Sequence, residues 1–263
     1  MAADSKFEIL TQSYVNTTTQ FVVNSNTATV ENIFNRDVSF QYYSDGFNND
    51  STTVSMRISF DSTQTVSRIG ILETNLKSFR VYYNGATAST FAMTSTGATT
   101  SSYFTTNSET SMYLRCNAVA CTSVSIDMIS TQVSNSEKAI GFLYIGNTTL
   151  TFPIMPSSDN YDPKIDPEQM VHVMSDGGTR IHNVKNKMSA KISLSNISLS
   201  FRNSLRDLFN DRSVFTFVPF GTTTSWDGVL YEGVWPGNFE FYKYSNDAAS
   251  SGFSGTITIR ETS

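Results

Sequence analysis

Apolar and polar residues alternate with a period of two along much of this chain. Val54, Met56, Ile58 and Phe60 alternate with Ser55, Arg57 and Ser59, which predicts a strand with one buried face. Asp61-Ser62-Thr63-Gln64 then reads as a turn. Residues 67–72 and 78–83 are the next two strands, the second ended by the turn dipeptide Asn84-Gly85. Residues 14–32 alternate in the same way and read as entry strands. Val124, Ile126 and Met128 predict another strand, and residues 142–145 one more before Gly146-Asn147. Between Arg80 and Arg115 the sole charge is Glu109, so that window reads as short strands and long loops.

The pattern changes after about Thr149. Pro153, Pro156, Pro163 and Pro167 are four of the six prolines in the chain. Proline fixes φ and cannot donate to a strand ladder, so an extended connector is expected here, with a domain boundary close to it. The expected domains are residues 1–147 and 148–263. Residues 170–174 and 179–184 flank Ser175-Asp176-Gly177-Gly178 and predict a hairpin. Residues 188–201 alternate again, with Ile192 and Leu194 among the apolar positions and a slip at Ser195-Asn196 that suggests a bulge or a break. Phe201, Leu205, Leu208 and Phe209 then fall on one helical stripe. A helix over 204–210 is expected, capped by Asn203 or Ser204 and ended by Asn210-Asp211. Phe215 and Phe217 lie in a strongly apolar strand over 214–220, and residues 229–234, 238–244 and 255–260 add three more. The fold class is therefore all-β, with a single helix in the second domain.

Composition agrees with that pattern and narrows the function. The chain has 263 residues, of which 39% are apolar, 13% aromatic and 16% charged, enough apolar material for a sizeable core. Ser, Thr and Asn dominate the polar remainder and favour turns over helices. The net charge of −5 comes with no basic patch, so nucleic-acid recognition has no electrostatic support. No apolar run approaches a membrane span, so no membrane insertion is expected. The first eleven residues hold Asp4, Lys6 and Glu8 and no apolar core of a secretory signal, so folding in a cytoplasm is expected. In that compartment Cys116 and Cys121 read as two reduced thiols.

Catalytic motifs do not emerge. His172 and His182 fall in the expected hairpin, where a loop of two or four residues would pair position 172 with 181 and put the histidines on opposite faces. A change of one residue in loop length would bring them opposite each other. Neither arrangement has the three or four ligands of a metal site. Asp159, Asp162, Asp166 and Glu168 could be weighed as a glycosidase pair, but they alternate with prolines and Lys164 and read as a solvated linker. Asp45, Asn48, Asn49 and Asp50 could offer oxygens to calcium, yet the spacing fits no EF-hand loop and a plain turn is the simpler reading. No phosphate loop, dinucleotide fingerprint or nucleophile elbow occurs. No enzyme, metal or cofactor is expected.

Two resemblances add to this. Residues 30–146 resemble a discoidin-like, or galactose-binding-like, jelly roll. The carrying stretches are Met56-Arg57-Ile58-Ser59-Phe60-Asp61, Arg68-Ile69-Gly70-Ile71-Leu72 and Asn75-Leu76-Lys77-Ser78-Phe79-Arg80-Val81-Tyr82-Tyr83, with closing strands at 124–128 and 139–146. Residues 152–263 resemble phage tail proteins of the distal-tail and tail-tube kind, through the strand to Phe201, the helix, the strand Phe215-Thr216-Phe217-Val218-Pro219-Phe220 and the closing residues 255–261. The fold implied is an N-terminal jelly-roll sandwich followed by a C-terminal antiparallel split barrel with one helix.

The function implied is a structural virion protein in a ring, a hexamer above all, at a tail tip or baseplate. It would connect the tail tube to tip or receptor-binding components, with Ile192, Leu194, Phe215 and Phe217 at the subunit interface. The alternative is a carbohydrate-binding module of a receptor-binding device. Cell-surface glycan would then be the partner and Tyr42, Tyr43, Phe47, Tyr103 and Phe104 an aromatic platform for sugar.

Overall fold

A computed structural model describes residues 6–11, 13–16, 19–35, 40–45, 50–84, 103–147, 150–153, 161–175, 177–221, 226–227, 230–243 and 252–262. The fold is all-β and antiparallel, as expected, and divides into two units. Unit 1 comprises Met1–Thr151 with Phe217–Leu230, and unit 2 comprises Phe152–Thr216 with Tyr231–Ser263. Segment 217–230, expected in the second domain, thus belongs to the first.

In unit 1 the strands are β1 (Lys6–Leu10), β2 (Gln20–Val23), β3 (Tyr42–Tyr43), β4 (Val54–Thr74), β5 (Leu76–Asn84), β6 (Tyr103–Phe104), β7 (Met112–Thr131), β8 (Ala139–Gly146) and β9 (Leu150–Thr151). A 3-10 helix, Thr27–Phe34, buries Val30 and Ile33. The two strands predicted over 54–60 and 67–72 are one strand, β4, and the expected turn Asp61–Gln64 lies inside it. β4 and β7 pair antiparallel along most of their lengths, from Val54↔Met128 to Ile71↔Met112. β2 adds to the first half of β4 and β5 to the facing half of β7. β8 adds to the second half of β4. The long pair therefore takes part in two layers, and it changes layer where the register shifts between Ser59 and Gln64. This is a jelly-roll device: one bent pair of long strands serves both layers.

The alternation fixes what is buried. Val54, Met56 and Ile58 from one layer and Ile69 and Ile71 from the other meet in one apolar cluster with Leu76, Val81, Val124 and Ile126. The second half of β4 is buried on both faces. Its far side carries Leu72, Tyr113, Phe142 and Tyr144, packed with Leu10, Val218 and Leu230. That packing explains why segment 217–230 joins unit 1, and Phe217 there meets Phe7 edge to face at 5.6 Å.

A buried ion pair pins β1 to this doubly covered layer. Arg68 Nε and Nη2 each donate to Glu8 at 2.8 Å, a bidentate fork. Glu8 is 0% exposed and also accepts from the Tyr113 hydroxyl. The Arg68 Nη1 donates to the Ser67 carbonyl at 2.8 Å, so the guanidinium is satisfied on both sides.

Unit 2 is built from β10 (Tyr161–Val173), β11 (Thr179–Ile197), β14 (Tyr231–Val234), β15 (Glu240–Lys243) and β16 (Phe253–Glu261). Between β11 and β14 the chain forms β12 (Phe215–Gly221), which passes from unit 2 into unit 1, and β13 (Trp226–Asp227), which pairs with β7 in unit 1. β16 lies between β11 and β14, with β15 pairing it as well. Pro163 and Pro167 are not in a connector. They stand in β10, which is the end strand of the order, where a residue without N–H is tolerated. The helix α1 (Leu199–Asp211) begins earlier than the sequence suggested. Ser198 is the cap, its hydroxyl accepting from the Phe201 amide at 3.1 Å, and Ile197 ends the strand. Phe201, Leu205 and Leu208 form its buried stripe. Phe209 packs on Trp235 and Phe239 at 5.3 and 5.7 Å.

The Glu8–Arg68 pair supplies a direct test. Arg68→Met leaves a buried carboxylate without its cation and is expected to lower unfolding stability by about 3–5 kcal/mol. Adding Glu8→Gln should recover a large part of that loss. Urea unfolding of the two variants measures it, and an unchanged midpoint for the single variant would show that β1 is not held by charge.

Candidate functional site

The change of layer in β4 creates a hollow in unit 1. Three more residues separate Ser59 from Gln64 on β4 than separate their partners Ser123 and Cys121 on β7. Phe60 and Asp61 are thereby released from the ladder. Opposite them runs the segment between β1 and β2. The Tyr14 amide donates to the Ile145 carbonyl at 2.7 Å, and Ser13 Oγ both accepts from the Ile145 amide at 3.3 Å and donates to its carbonyl at 3.4 Å. The Thr19 amide donates to the Asn16 carbonyl at 3.1 Å, while Thr19 Oγ1 accepts from the Asn16 amide at 3.0 Å and donates to the Tyr14 carbonyl at 2.9 Å, closing a tight loop. The wall formed by Ser13, Tyr14, Asn16 and Thr19 is therefore fixed by hydrogen bonds to the backbone.

The hollow has a volume of about 170 Å³ and is lined by Ser13, Tyr14, Asn16, Thr19, Phe60, Asp61 and Gln64. Tyr14 and Phe60 meet edge to face at 5.9 Å with an interplanar angle of 69°. Both rings are half-buried, and Asp61 and Asn16 are exposed at the rim. The Tyr14 hydroxyl donates to the Thr65 carbonyl at 3.3 Å. Burial, and secondarily the nearby Cys121, push the Tyr14 phenol above its ordinary value of 10.0, so it stays neutral and can act as donor and acceptor. Gln64 Nε2 donates to Ser62 Oγ at 3.0 Å. Two aromatic walls, one carboxylate and two amides are thus gathered around a space too small for the roughly 300–1,000 Å³ of a drug-sized ligand.

The expected sugar platform is distributed differently. Tyr42 is 0% exposed and its hydroxyl donates to the Ser25 carbonyl at 2.9 Å, so it has no ring face to offer a ligand. Tyr43 is exposed and its hydroxyl donates to Gln41 Oε1 at 2.8 Å. Phe47 lies outside the described residues. Phe104 is half-buried and stacks on the core residue Phe79 at 6.0 Å. Tyr103 is exposed, with the Arg80 guanidinium 4.5 Å from its ring centroid. β3 and β6 stand at opposite ends of the strand order, so these aromatics do not form one platform.

The expected interface residues are core residues. Ile192, Leu194, Phe215 and Phe217 are exposed by 0%, 7%, 1% and 0%, and none has surface left for a neighbouring subunit. Their strands are covered within the chain because the apolar alternation was read without knowing which face was already packed. The hairpin register pairs His172 with Arg180 and His182 with Met170, so the histidines do not face each other across it. Asp162 and Asp166 lie on the exposed strand β10. Asp159 and the side chain of Glu168 lie outside the described residues. Asp50 is a structural acceptor: burial pushes its carboxyl up, but hydrogen bonds from Thr131 and Asn135 and the charge of Lys138 outweigh that and hold it below 3.8. Gly46, Asn48 and Asn49 lie outside the described residues. No group of three or more His, Cys, Asp or Glu suited to a metal occurs among the described residues. Among those residues no helix is long and apolar enough to cross a membrane.

No protein-family model matches the chain, and no curated protein does. Solved structures similar to part of it include chitosan-binding module 1 of a chitosanase/glucanase from Paenibacillus sp. IK-5. That match has a TM-score of 0.43 and 11% identity, covering 52% of this chain and 99% of the module. CpGH89CBM32-5 from Clostridium perfringens, in complex with GalNAc-beta-1,3-galactose, is similar at a TM-score of 0.40 and 8% identity, covering 49% of this chain and 95% of that one. The lectin domain of lectinolysin, complexed with Lewis B antigen, gives a TM-score of 0.40 and 10% identity over 53% of this chain and 99% of the domain.

The buried tyrosine makes a pH prediction. Burial raises the Tyr42 phenol from 10.0 to about 12, against a smaller opposing effect of its hydrogen bond to Ser25. Between those pH values the unfolded chain releases a proton that the folded chain keeps, so stability falls as pH rises. The loss attributable to Tyr42 should reach about 2–3 kcal/mol by pH 12. Tyr42→Phe, which costs about 1 kcal/mol at neutral pH through its lost hydrogen bond, should remove that alkaline increment. Urea midpoints measured across the alkaline range check the slope, and an identical slope in the variant would contradict it.

Proposed function

We propose that unit 1 is a carbohydrate-binding module whose sugar-contacting site is the hollow lined by Tyr14 and Phe60. The single observation that carries this is the lining itself. A sugar ring has apolar C–H faces and a rim of hydroxyls that both donate and accept. Tyr14 and Phe60 supply flat apolar surface for the first. The Asp61 carboxylate accepts from hydroxyls, and the Asn16 and Gln64 amides do both. The volume of about 170 Å³ suits one ring held by its end, with the remainder of a glycan extending into solvent.

Binding rather than turnover follows from the same composition. Glycoside hydrolysis calls on two carboxyl groups roughly 5–10 Å apart, one on each side of the bond. Among the described residues lining the hollow, Asp61 is the one carboxylate. The protein is therefore proposed to be a non-catalytic glycan-binding protein. The tail-tip ring reading rested on a resemblance to which the comparisons lend nothing, and the interface residues expected for it are buried.

A glycan array probed with the full chain, followed by calorimetry on the strongest saccharide, tests the proposal. Asp61→Ala removes a charged acceptor and should weaken binding by about tenfold or more, and Phe60→Ala should do the same. Tyr43→Ala and Tyr103→Ala should leave affinity unchanged. A chain that binds no saccharide, or one whose binding survives Phe60→Ala and fails with Tyr103→Ala, would defeat the assignment.

A further inference from the structure

We propose that unit 2 carries a second saccharide site, a trough running across β11, β16 and β15. It goes beyond the hollow of unit 1 and stands on other residues. β16 lies between the other two strands here. Thr256 pairs with Ser193 of β11 on one side and with Glu240 of β15 on the other. Two residues along, Ser254 pairs with Tyr242.

Directly paired residues share a face of a sheet, and so do alternate residues along a strand. Ser193, Glu240, Tyr242, Ser254 and Thr256 therefore share one face. Leu194, Gly255 and Phe241 fall on the other, where Leu194 and Phe241 are buried. β16 supplies a floor of small residues, Ser254 to Thr256, and β15 supplies a tall wall, Glu240 and Tyr242. A Cβ at Gly255 would collide with the Glu240 carbonyl and the Phe241 ring, so β15 sits tight against that floor. The trough has a volume of about 370 Å³. That falls within the roughly 300–1,000 Å³ of small-molecule sites.

The polar groups of the trough are free to bind. Among the described residues no other group of the chain hydrogen-bonds to the side chain of any of these five residues. Three hydroxyls that donate and accept, one carboxylate that accepts and one phenol thus line a single space. Tyr242 is 68% exposed, which leaves its ring open as flat apolar surface.

That set of groups selects a ligand class. Glu240 is the one charged residue among the described residues lining the trough, so a phosphate or other anion meets a like charge there and no cation. Leu194 and one aromatic ring are too little apolar surface for a lipid chain. An extended peptide has no ladder to join over the floor, because β16 is already paired on both sides. A saccharide meets the lining group by group. Its apolar C–H face suits the Tyr242 ring, and its hydroxyls suit Glu240, Ser193, Ser254 and Thr256.

An array of neutral, amino and acidic saccharides tests this, probed with the full chain and with its Phe60→Ala, Tyr242→Ala and Glu240→Gln variants. Glu240 and Tyr242 are exposed, so circular dichroism and urea midpoints of their variants should match the parent protein. Asp61→Ala, also at an exposed position, repeats the test should Phe60→Ala lower the urea midpoint. Phe60→Ala should keep binding to one set of saccharides, and Tyr242→Ala should lose that set. Calorimetry on its strongest member should show affinity weakened about tenfold or more by Glu240→Gln. A Phe60→Ala chain that binds no saccharide would overturn the proposal while the reading of unit 1 stands. So would a retained set that survives both Tyr242→Ala and Glu240→Gln. Loss of all binding with Tyr242→Ala, and none with Phe60→Ala, would support the trough and defeat the hollow of unit 1. A parent chain that binds nothing would defeat both.

Discussion

The antiparallel pairing of β4 with β7 is the constraint on which unit 1 depends. Both strands are far longer than a single sheet layer needs, and their alternation must satisfy two layers at once. Along Val54–Ile58 one side is buried and the other half-covered, whereas Val66–Leu72 is buried throughout. A strand cannot pass between those two environments without a change of direction, and the register shift after Ser59 supplies it. The residues set free by that shift are the ones that line the hollow. The proposed binding site is thus a by-product of the bend that lets one strand pair serve two layers.

Unit 2 rests on a comparable economy. β11 contributes Met188, Ala190, Ile192 and Leu194 to a core and then extends beyond the reach of its neighbour β16. The close approach of β15 to β16 leaves no room for a side chain at Gly255, where a Cβ would stand 2.3 Å from the Glu240 carbonyl oxygen. α1 seals the other end, with the Arg212 guanidinium 3.8 Å from the Phe209 ring centroid and Phe201 edge to face with Phe152 at 5.5 Å.

Much of the fold was legible in the sequence, because period-two alternation is a local signal. The strand at 54–60, the strand at 124–128 and the all-β class follow from it directly. Local signals failed where tertiary context decides. Asp61–Gln64 has turn composition, yet β4 pairs with β7 up to Ser59 and again from Gln64, which keeps the segment within the strand. Ile197, Leu199 and Phe201 extend the strand alternation and at the same time open a helical stripe. The Ser198 cap resolves that ambiguity, but one serine among many does not announce itself. Pro163 and Pro167 were read as a connector because a proline's tolerance at a sheet edge depends on the strand order. The site was less legible still. Tyr42 and Tyr43 are adjacent and chemically identical, and the pleat alone buries one and exposes the other. Tyr14 and Phe60 are distant in sequence and become neighbours through the ties of Ser13 and Tyr14 to Ile145.

The central claim is that sugar is held against the surface formed by Tyr14 and Phe60. A crystal structure of the protein grown with its best-bound saccharide tests it most directly. The account predicts a pyranose ring against Tyr14 and Phe60, with hydroxyls on the Asp61 carboxylate and on the amides of Asn16 or Gln64. Saccharide seated instead against Tyr103 and Arg80, with the Tyr14–Phe60 hollow holding only water, would contradict it.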